Sequence, residues 1–348
     1  MRILHIISEK PPIKSGFSRA VSRLSEELVK MGHEVDILSA SECKVKVIGE
    51  IKLVYGLGNI PKYLRKDYDI VNIHGHTPTF SDRLFVKAKL SRKKVVYTLH
   101  CMANYYLKPL VTIYNNLFNQ LISRFSDAVV VTSKSYYDMV RGCKRKYLIP
   151  WGVDVERFSG ERIPHDGYRL LFVGQMRPYK GLKILLKAIG ELDAELWIVG
   201  DGPDRMEYEA YAKSMGLDKV RFFGAVPDEE LKKIYLSCDV LVLPSVSLNE
   251  AFGLVTLEAA AAKCAVIASD LLGVRDVVGK FGLLIRPNDV KNCRRALLSM
   301  KDETIRNKYV ELGVEEVKKY RWSYVANKYD KIYREIIEFK ESLHTRIN

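Results

Sequence analysis

Glu250 and Glu258 lie in the stretch Val240 to Asp270, VLVLPSVSLNEAFGLVTLEAAAAKCAVIASD, and two carboxylates at that separation are suited to gripping an elongated polar ligand. The stretch reads as a buried strand at Val240 to Leu243, a loop from Pro244 carrying Glu250, a helix from about Phe252 carrying Glu258, and a second buried strand from Ala265 to Ala268. With the helix starting near Phe252, Glu258 stands roughly 9 Å further along its axis at about 1.5 Å per residue. The backbone amides of Phe252, Gly253 and Leu254 would point between the acids, where a helix N-terminus favours a phosphate. A sugar nucleotide has that shape and charge.

A second candidate is GQMRPYKG, Gly174 to Gly181, where a strand ends at glycine and Arg177 and Lys180 precede a helix. Arginine offers a planar fork of donors and lysine a mobile point charge, so the pair suits a diphosphate without a metal. Alone it is equally a pair of solvated side chains at a helix start. The loop GDGPD, Gly200 to Asp204, reads as a structural turn followed by a capped helix. In the first half, EKPPIKSG ends at Gly16, a glycine at a strand-to-helix turn where backbone can approach a ligand closely. GxGxxG is absent, so this is no dinucleotide fingerprint. Two strands end in histidines, His74 in VNIHGH and His100 in VVYTLHCM. For His74 the simpler reading is a side chain satisfied by local hydrogen bonds.

These residues need a scaffold, and the pattern supplies one. Apolar runs at residues 2–8, 34–39, 69–73, 94–99, 127–131 and 146–149 alternate with helical stretches. The linker IPWGVDVERFSGERIPHDG follows, and the alternation restarts with RLLFVG, AELWIVG and KVRFFG. Alternating strands and helices imply parallel doubly wound sheets, and ligands bind such sheets at the carboxyl ends of their strands. The expected fold is therefore α/β, with Rossmann-like domains over residues 1–155 and 165–320 facing across a cleft. Trp322 to Phe339 forms a final amphipathic helix.

The chain has 348 residues and a net charge of +14, with 47% hydrophobic and 28% charged residues. That length suits two domains. No apolar run reaches the roughly eighteen residues of a membrane span, and MRILHIIS reads as a first strand rather than a signal segment. Six scattered cysteines without CxxC read as free thiols of a reducing cytoplasm. Residues 1–160 hold 26 Lys and Arg against 14 Asp and Glu, so the positive charge belongs to the first half. It fits a polyanionic neighbour, nucleic acid or an anionic membrane, and equally a solvated surface. The segment CMANYYLKPLVTIYNNLFNQLISRF, Cys101 to Phe125, is aromatic and apolar between basic clusters, with Pro109 interrupting its helix. It fits a membrane-interface surface or the domain core.

With these residues assembled, the chain resembles the glycosyltransferase family 4 enzymes, a group 1 glycosyltransferase family of GT-B fold, over nearly its full length. The carrying motifs are VGQMRPYKG, WIVGDGP, FFGAVPDEEL and the Glu-x7-Glu element PSVSLNEAFGLVTLEAAAAKCAVIAS, with looser matches in PPIKSG, GHEV, DIVNIHG, YTLH and IPWGVDVERF. The resemblance implies a retaining enzyme with no metal or cofactor that uses a UDP or GDP sugar as donor. It implies that Glu250 contacts the donor sugar and Glu258 the ribose. Lys180, helped by Arg177, would neutralise the diphosphate, aided by the Phe252, Gly253 and Leu254 amides and by Gly16 across the cleft. The backbone at Val226 would read the base, and His100 would sit beside the sugar, making Glu250, Lys180 and His100 the catalytic set. The final helix, about residues 322–348, would pack back on the first domain. Gln175 stands where the family often has arginine, Trp151 where it has asparagine, and Cys264 and Ala265 where it prefers glycine and proline.

The resulting expectation is a cytoplasmic hexosyltransferase of polysaccharide or glycolipid biosynthesis, with a sugar or lipid-linked acceptor. An anionic membrane surface is a further candidate partner, placing the protein at the inner face of the membrane; nucleic acid is not expected. The competing readings are a phosphorylase or sugar-phosphate synthase on the same fold, which needs an extra phosphate site, and a non-catalytic polyanion-binding protein.

Overall fold

A computed structural model describes residues 1–8, 16–40, 44–48, 51–56, 66–75, 77, 80–101, 108–190 and 192–345. The chain divides into two compact units, one of residues Met1–Gly152 with Trp322–Asn348 and one of Val153–Arg321. In the first, β1 (Arg2–Ile7), β2 (Glu34–Ser39), β5 (Ile70–Gly75), β6 (Val95–Leu99), β7 (Ala128–Val131) and β8 (Lys146–Leu148) form a parallel sheet in the order β2-β1-β5-β6-β7-β8. β3 (Lys44–Ile48) and β4 (Ile51–Gly56) pair separately as an antiparallel hairpin. The second unit repeats the plan with β9 (Arg169–Val173), β10 (Glu195–Val199), β11 (Val220–Gly224), β12 (Val240–Leu243), β13 (Ala265–Ser269) and β14 (Leu283–Ile285), in the order β11-β10-β9-β12-β13-β14. β5, β6, β7, β12 and β13 are buried along their whole length. Continuous apolar runs are what a sheet covered on both faces demands.

Both sheets contain the feature that locates a site. The chain builds outward on one side of the first-formed strand, then crosses to the other side, and ligand crevices form where the direction reverses. The reversal falls between β1 and β5 in the first unit and between β9 and β12 in the second. The loops leaving β9 and β12 carry Lys180 and Glu250.

The helix Trp322–Thr345 packs on the first unit. Its Tyr333 hydroxyl accepts a 2.7 Å hydrogen bond from Asn72 Nδ2, and its Tyr329 hydroxyl lies 3.4 Å from the Thr98 hydroxyl. Trp322 sets the backbone it meets: a Cβ at Gly152 would fall 2.6 Å from the indole ring.

Two local expectations need correction. The helix carrying Glu258 runs Leu254–Ala261, with Gly253 as its N-cap, so it starts two residues later than Phe252. Gly253 stands in the left-handed region (φ 77°), which ends regular structure on its N-terminal side. Glu258 is therefore only about 6 Å along the axis from the first helical residue. Lys180 precedes the helix Leu182–Ile189 as expected, and it does so on a 3₁₀ turn, Pro178–Lys180. Pro109 does not interrupt a helix; it is the second residue of Lys108–Phe125, where its missing N–H costs nothing.

Candidate functional site

The second unit brings its strongest candidates together. The Lys180 ammonium donates to Glu250 Oε2 at 2.6 Å, and both side chains are largely buried. Ser245 Oγ donates to the same oxygen at 3.1 Å, while Glu250 Oε1 has no hydrogen bond among the described residues. Burial pulls the Lys180 pKa down, but the Glu250 charge and the Tyr179 phenol outweigh it, and the net shift is upward. Lys180 is therefore a firm cation in the absence of ligand.

Backbone packing holds the pair. Gly181 stands in the left-handed region (φ 70°), and a Cβ there would fall 2.0 Å from the Pro244 carbonyl oxygen. The Val246 N–H donates to the Tyr179 carbonyl at 2.8 Å, tying the lysine loop to the glutamate loop. The Lys180 stem lies over Gly174, where an added Cβ would stand 3.5 Å from Cε, an ordinary van der Waals contact. The GDGPD loop buttresses this floor: the Met176 N–H donates to the Asp201 carbonyl at 2.9 Å, and a Cβ at Gly200 would overlap the Gly174 carbonyl. Asp204 is the N-cap of the helix Arg205–Ser214, but its side chain makes no capping hydrogen bond, contrary to the sequence expectation.

Other predicted residues fall as follows. Arg177 is exposed and donates through Nε to Gln175 Oε1 at 3.0 Å, so the residue replacing the usual arginine instead braces its neighbour. Phe252 is buried, Gly253 is the N-cap without a side chain, and the amide of Leu254 opens the helix. The first N–H groups of a helix lack partners within it, so this uncapped end presents donors. Glu258 Oε2 accepts from the Tyr235 hydroxyl at 2.8 Å. Tyr235 is fully buried, and sequence reading missed it; its signal is the Tyr235 position on the buried face of the helix Asp228–Leu236. Val226 is half-buried in the loop between β11 and that helix.

In the first unit, Gly16 is the exposed first residue of the helix Gly16–Lys30, and residues 9–15 of the proline-rich loop lie outside the described residues. His100 is buried, and its backbone N–H donates to the Gly75 carbonyl at 3.1 Å. Its ring stacks on Trp151 at 4.6 Å between centroids and meets Phe17 edge-on at 4.9 Å. Trp151, in place of the family's asparagine, thus supports the histidine by stacking.

The segment 101–125 divides between both of its readings, apart from residues 102–107, which lie outside the described residues. On the helix Lys108–Phe125, Phe118 and Ile122 are buried, while Leu110, Ile113 and Leu117 are 62%, 56% and 63% exposed. Spacings of three and four put these three on one outward stripe. Val86 and Leu90 of the neighbouring helix Ser81–Leu90 are also exposed, beside Lys87 in a groove lined by Tyr114 and Phe118. Among the described residues, no helix is long and apolar enough to cross a membrane.

Comparison with known proteins gives these features a context. Residues 155–314 match the family model for glycosyl transferases group 1, and residues 14–157 match that for Glycosyltransferase Family 4. The chain is 27% identical over 375 residues to the phosphatidyl-myo-inositol mannosyltransferase of Mycolicibacterium smegmatis, covering 97% of this chain and 94% of that protein. It is 27% identical over 377 residues to the O-antigen chain mannosyltransferase C of Escherichia coli, covering 98% and 100%. Among solved structures it resembles sucrose-phosphate synthase from Thermosynechococcus elongatus, with a TM-score of 0.81 at 21% identity, covering 97% of this chain and 100% of that one.

Proposed function

The chain belongs to the group 1 glycosyltransferases of GT-B fold, and from that premise we propose that it transfers a hexosyl group, with retention, from a UDP or GDP sugar to a glycan or lipid-linked acceptor. The observation that carries this reading is the buried Lys180–Glu250 pair at the strand-order reversal of the second sheet, three residues ahead of an uncapped helix N-terminus. Lys180 has two ammonium protons beyond the one given to Glu250, and they would meet the donor's diphosphate together with the Leu254 amide and the exposed Arg177. These groups supply positive charge without a metal ion or cofactor. Glu250 would use its unpaired Oε1 on a sugar hydroxyl. Glu258, oriented by Tyr235, would take the ribose, and the backbone at Val226 the base.

The chemistry then needs no protein nucleophile. As the bond from the anomeric carbon to the diphosphate oxygen breaks, negative charge grows on that oxygen, and fixed donors aimed there lower the barrier. The acceptor hydroxyl forms its new bond on the same face of the anomeric carbon as the diphosphate leaves, and its proton passes to the departing phosphate. The acceptor would be held by the first unit. Its basic charge and the stripe Leu110, Ile113 and Leu117 suit an anionic bilayer surface, as expected of an enzyme at the inner face of the membrane.

The test is donor binding followed by product analysis. Titration with UDP, GDP and their hexose conjugates should give saturable binding that Glu258→Ala weakens. Anomeric analysis of the product should report retention. Absence of binding to every nucleotide would overturn the reading, and transfer to inorganic phosphate in place of a hydroxyl would replace it with a phosphorylase.

A further inference from the structure

His5, His74 and His100 form a continuous row. His5 Nδ1 lies 2.9 Å from His74 Nε2, and His74 Nδ1 lies 3.1 Å from His100 Nε2. The rings are stacked, with centroids 5.0 and 5.2 Å apart, and Trp151 lies parallel to the last. Strand register builds the row. His5 on β1 is paired with Asn72 on β5, two residues before His74, and His74 is paired with Thr98 on β6, two residues before His100. Side chains two apart share a face of a sheet, so His5 leans diagonally onto His74 across the strand-order reversal and His74 onto His100 one strand further on.

Such a row has a direction. A neutral imidazole carries one N–H and one bare nitrogen, so each contact needs a donor on one side and an acceptor on the other. Two arrangements satisfy both contacts: every proton on Nδ1, or every proton on Nε2. They differ only at the ends. Among the described residues, His5 Nε2 and His100 Nδ1 have no hydrogen-bond partner. His5 is sealed at 0% exposure, whereas His100 keeps 6% at the carboxyl end of β6. Placing the proton on His5 Nε2 would strand a donor that no acceptor meets among the described residues, and buried donors are seldom left so. His100 Nδ1 is buried as well, but it lies just past the carboxyl end of β6, the edge where ligands bind, so a proton there faces an acceptor that a bound ligand would supply.

We infer that His5 and His74 are positioning residues that hold His100 in its Nδ1–H form, so that His100 offers an uncharged hydrogen-bond donor to an oxygen of the bound sugar substrate. No proton leaves the row; the tautomer is set before substrate arrives. Burial holds His5 and His100 at pKa values of about 3, and burial also holds His74 well below the usual histidine value, so the row stays neutral in the physiological range. The substrate contact rests on the transferase reading above, while the tautomer does not.

The full chain labelled with ¹⁵N-histidine separates the two. A long-range proton–nitrogen correlation spectrum without ligand should show a pyrrole-type Nδ1 and a pyridine-type Nε2 for all three rings, with assignments from His5→Gln and His100→Gln. His74→Leu should release His100 into a mixture of tautomers and lower kcat about tenfold, the worth of one hydrogen bond, with donor KM changed less than twofold. His74→Asn, which keeps an amide donor near the Nδ1 position, should retain the tautomer and most of kcat. An Nε2–H tautomer at His100 in the unaltered chain, or an unchanged spectrum in His74→Leu, would overturn the relay whether or not transfer is detected. If the spectrum agrees but no nucleotide sugar is turned over, the relay stands and the transferase reading fails.

Discussion

Lys180 and Glu250 are 70 positions apart in sequence yet share a 2.6 Å ion pair in the second unit. The two are therefore one electrostatic unit rather than a phosphate ligand and a sugar ligand acting separately. Buried charges are stable together and costly apart. A donor would meet a lysine already desolvated and already fixed in place, so little ordering would remain when it binds.

Removing the cation should therefore damage more than turnover. Lys180→Ala is expected to lower kcat about 100-fold or more through lost stabilisation of the leaving diphosphate. It should also lower stability by roughly 3 kcal/mol by stranding Glu250. The double variant Lys180→Met with Glu250→Leu should recover much of the stability and none of the activity. The pH sign on the alkaline side is definite: because the folded Lys180 pKa is raised above 10.5, the contribution of its charge is lost as pH rises through the folded value. Urea melts of the unaltered and Lys180→Ala chains should converge only in strong alkali.

Gly181→Ala tests the backbone that seats the pair. The φ of 70° and the Pro244 oxygen 2.0 Å from a new Cβ mean the turn must move. A loss on the order of 2 kcal/mol is expected, with a fall in donor affinity because Lys180 moves too. Equal stability and equal affinity would show that the turn accommodates a side chain at no cost.

The strands were legible because burial on both faces makes them continuous apolar runs; the edges of β5, β6, β7 and β12 fall within two residues of where those runs begin and end. The β3–β4 hairpin escaped notice although Lys44, Val45, Lys46 and Val47 alternate as a half-buried strand does. At the site, the residue types were readable and their pairing was not. The Lys180–Glu250 contact joins loops after β9 and β12, and His5, inside a plain apolar run, gains meaning only from the register that sets it beside His74. Gly253, read as an amide donor within a helix, acts as its left-handed N-cap, which local spacing does not announce.

Tyr235→Phe isolates the support of Glu258. It removes the hydroxyl 2.8 Å from the carboxylate while leaving the buried ring in place. Donor KM should rise about three- to tenfold with kcat nearly unchanged, since an orienting hydrogen bond is worth about 1 kcal/mol. A fall in kcat at constant KM would assign Glu258 to the chemical step instead.

The exposed stripe makes a prediction about surfaces. The chain should co-sediment with vesicles containing anionic lipid, weakly with neutral ones, and release as salt rises. Replacing Leu110, Ile113 and Leu117 by serine should reduce binding at low salt while changing the melting temperature little, because all three are more than half exposed. Equal sedimentation with neutral and anionic vesicles would remove the bilayer from the list of partners.

The histidine row should make the first unit sensitive to acid. His5 and His100 titrate at about 3 when folded against 6.5 when unfolded, and His74 is also depressed, in each case by burial first. Between those values the unfolded chain binds more protons, so stability rises with pH across the window and falls as pH drops from 6.5 toward 3. His5 and His100 each contribute on the order of 5 kcal/mol at most over the full range. In the triple variant His5→Gln, His74→Gln and His100→Gln the acid slope of the urea-unfolding free energy between pH 6.5 and pH 4 should flatten, whatever its absolute stability. A slope as steep as that of the unaltered chain would place the acid sensitivity in the carboxylates and would mean that the row is already protonated in the folded protein.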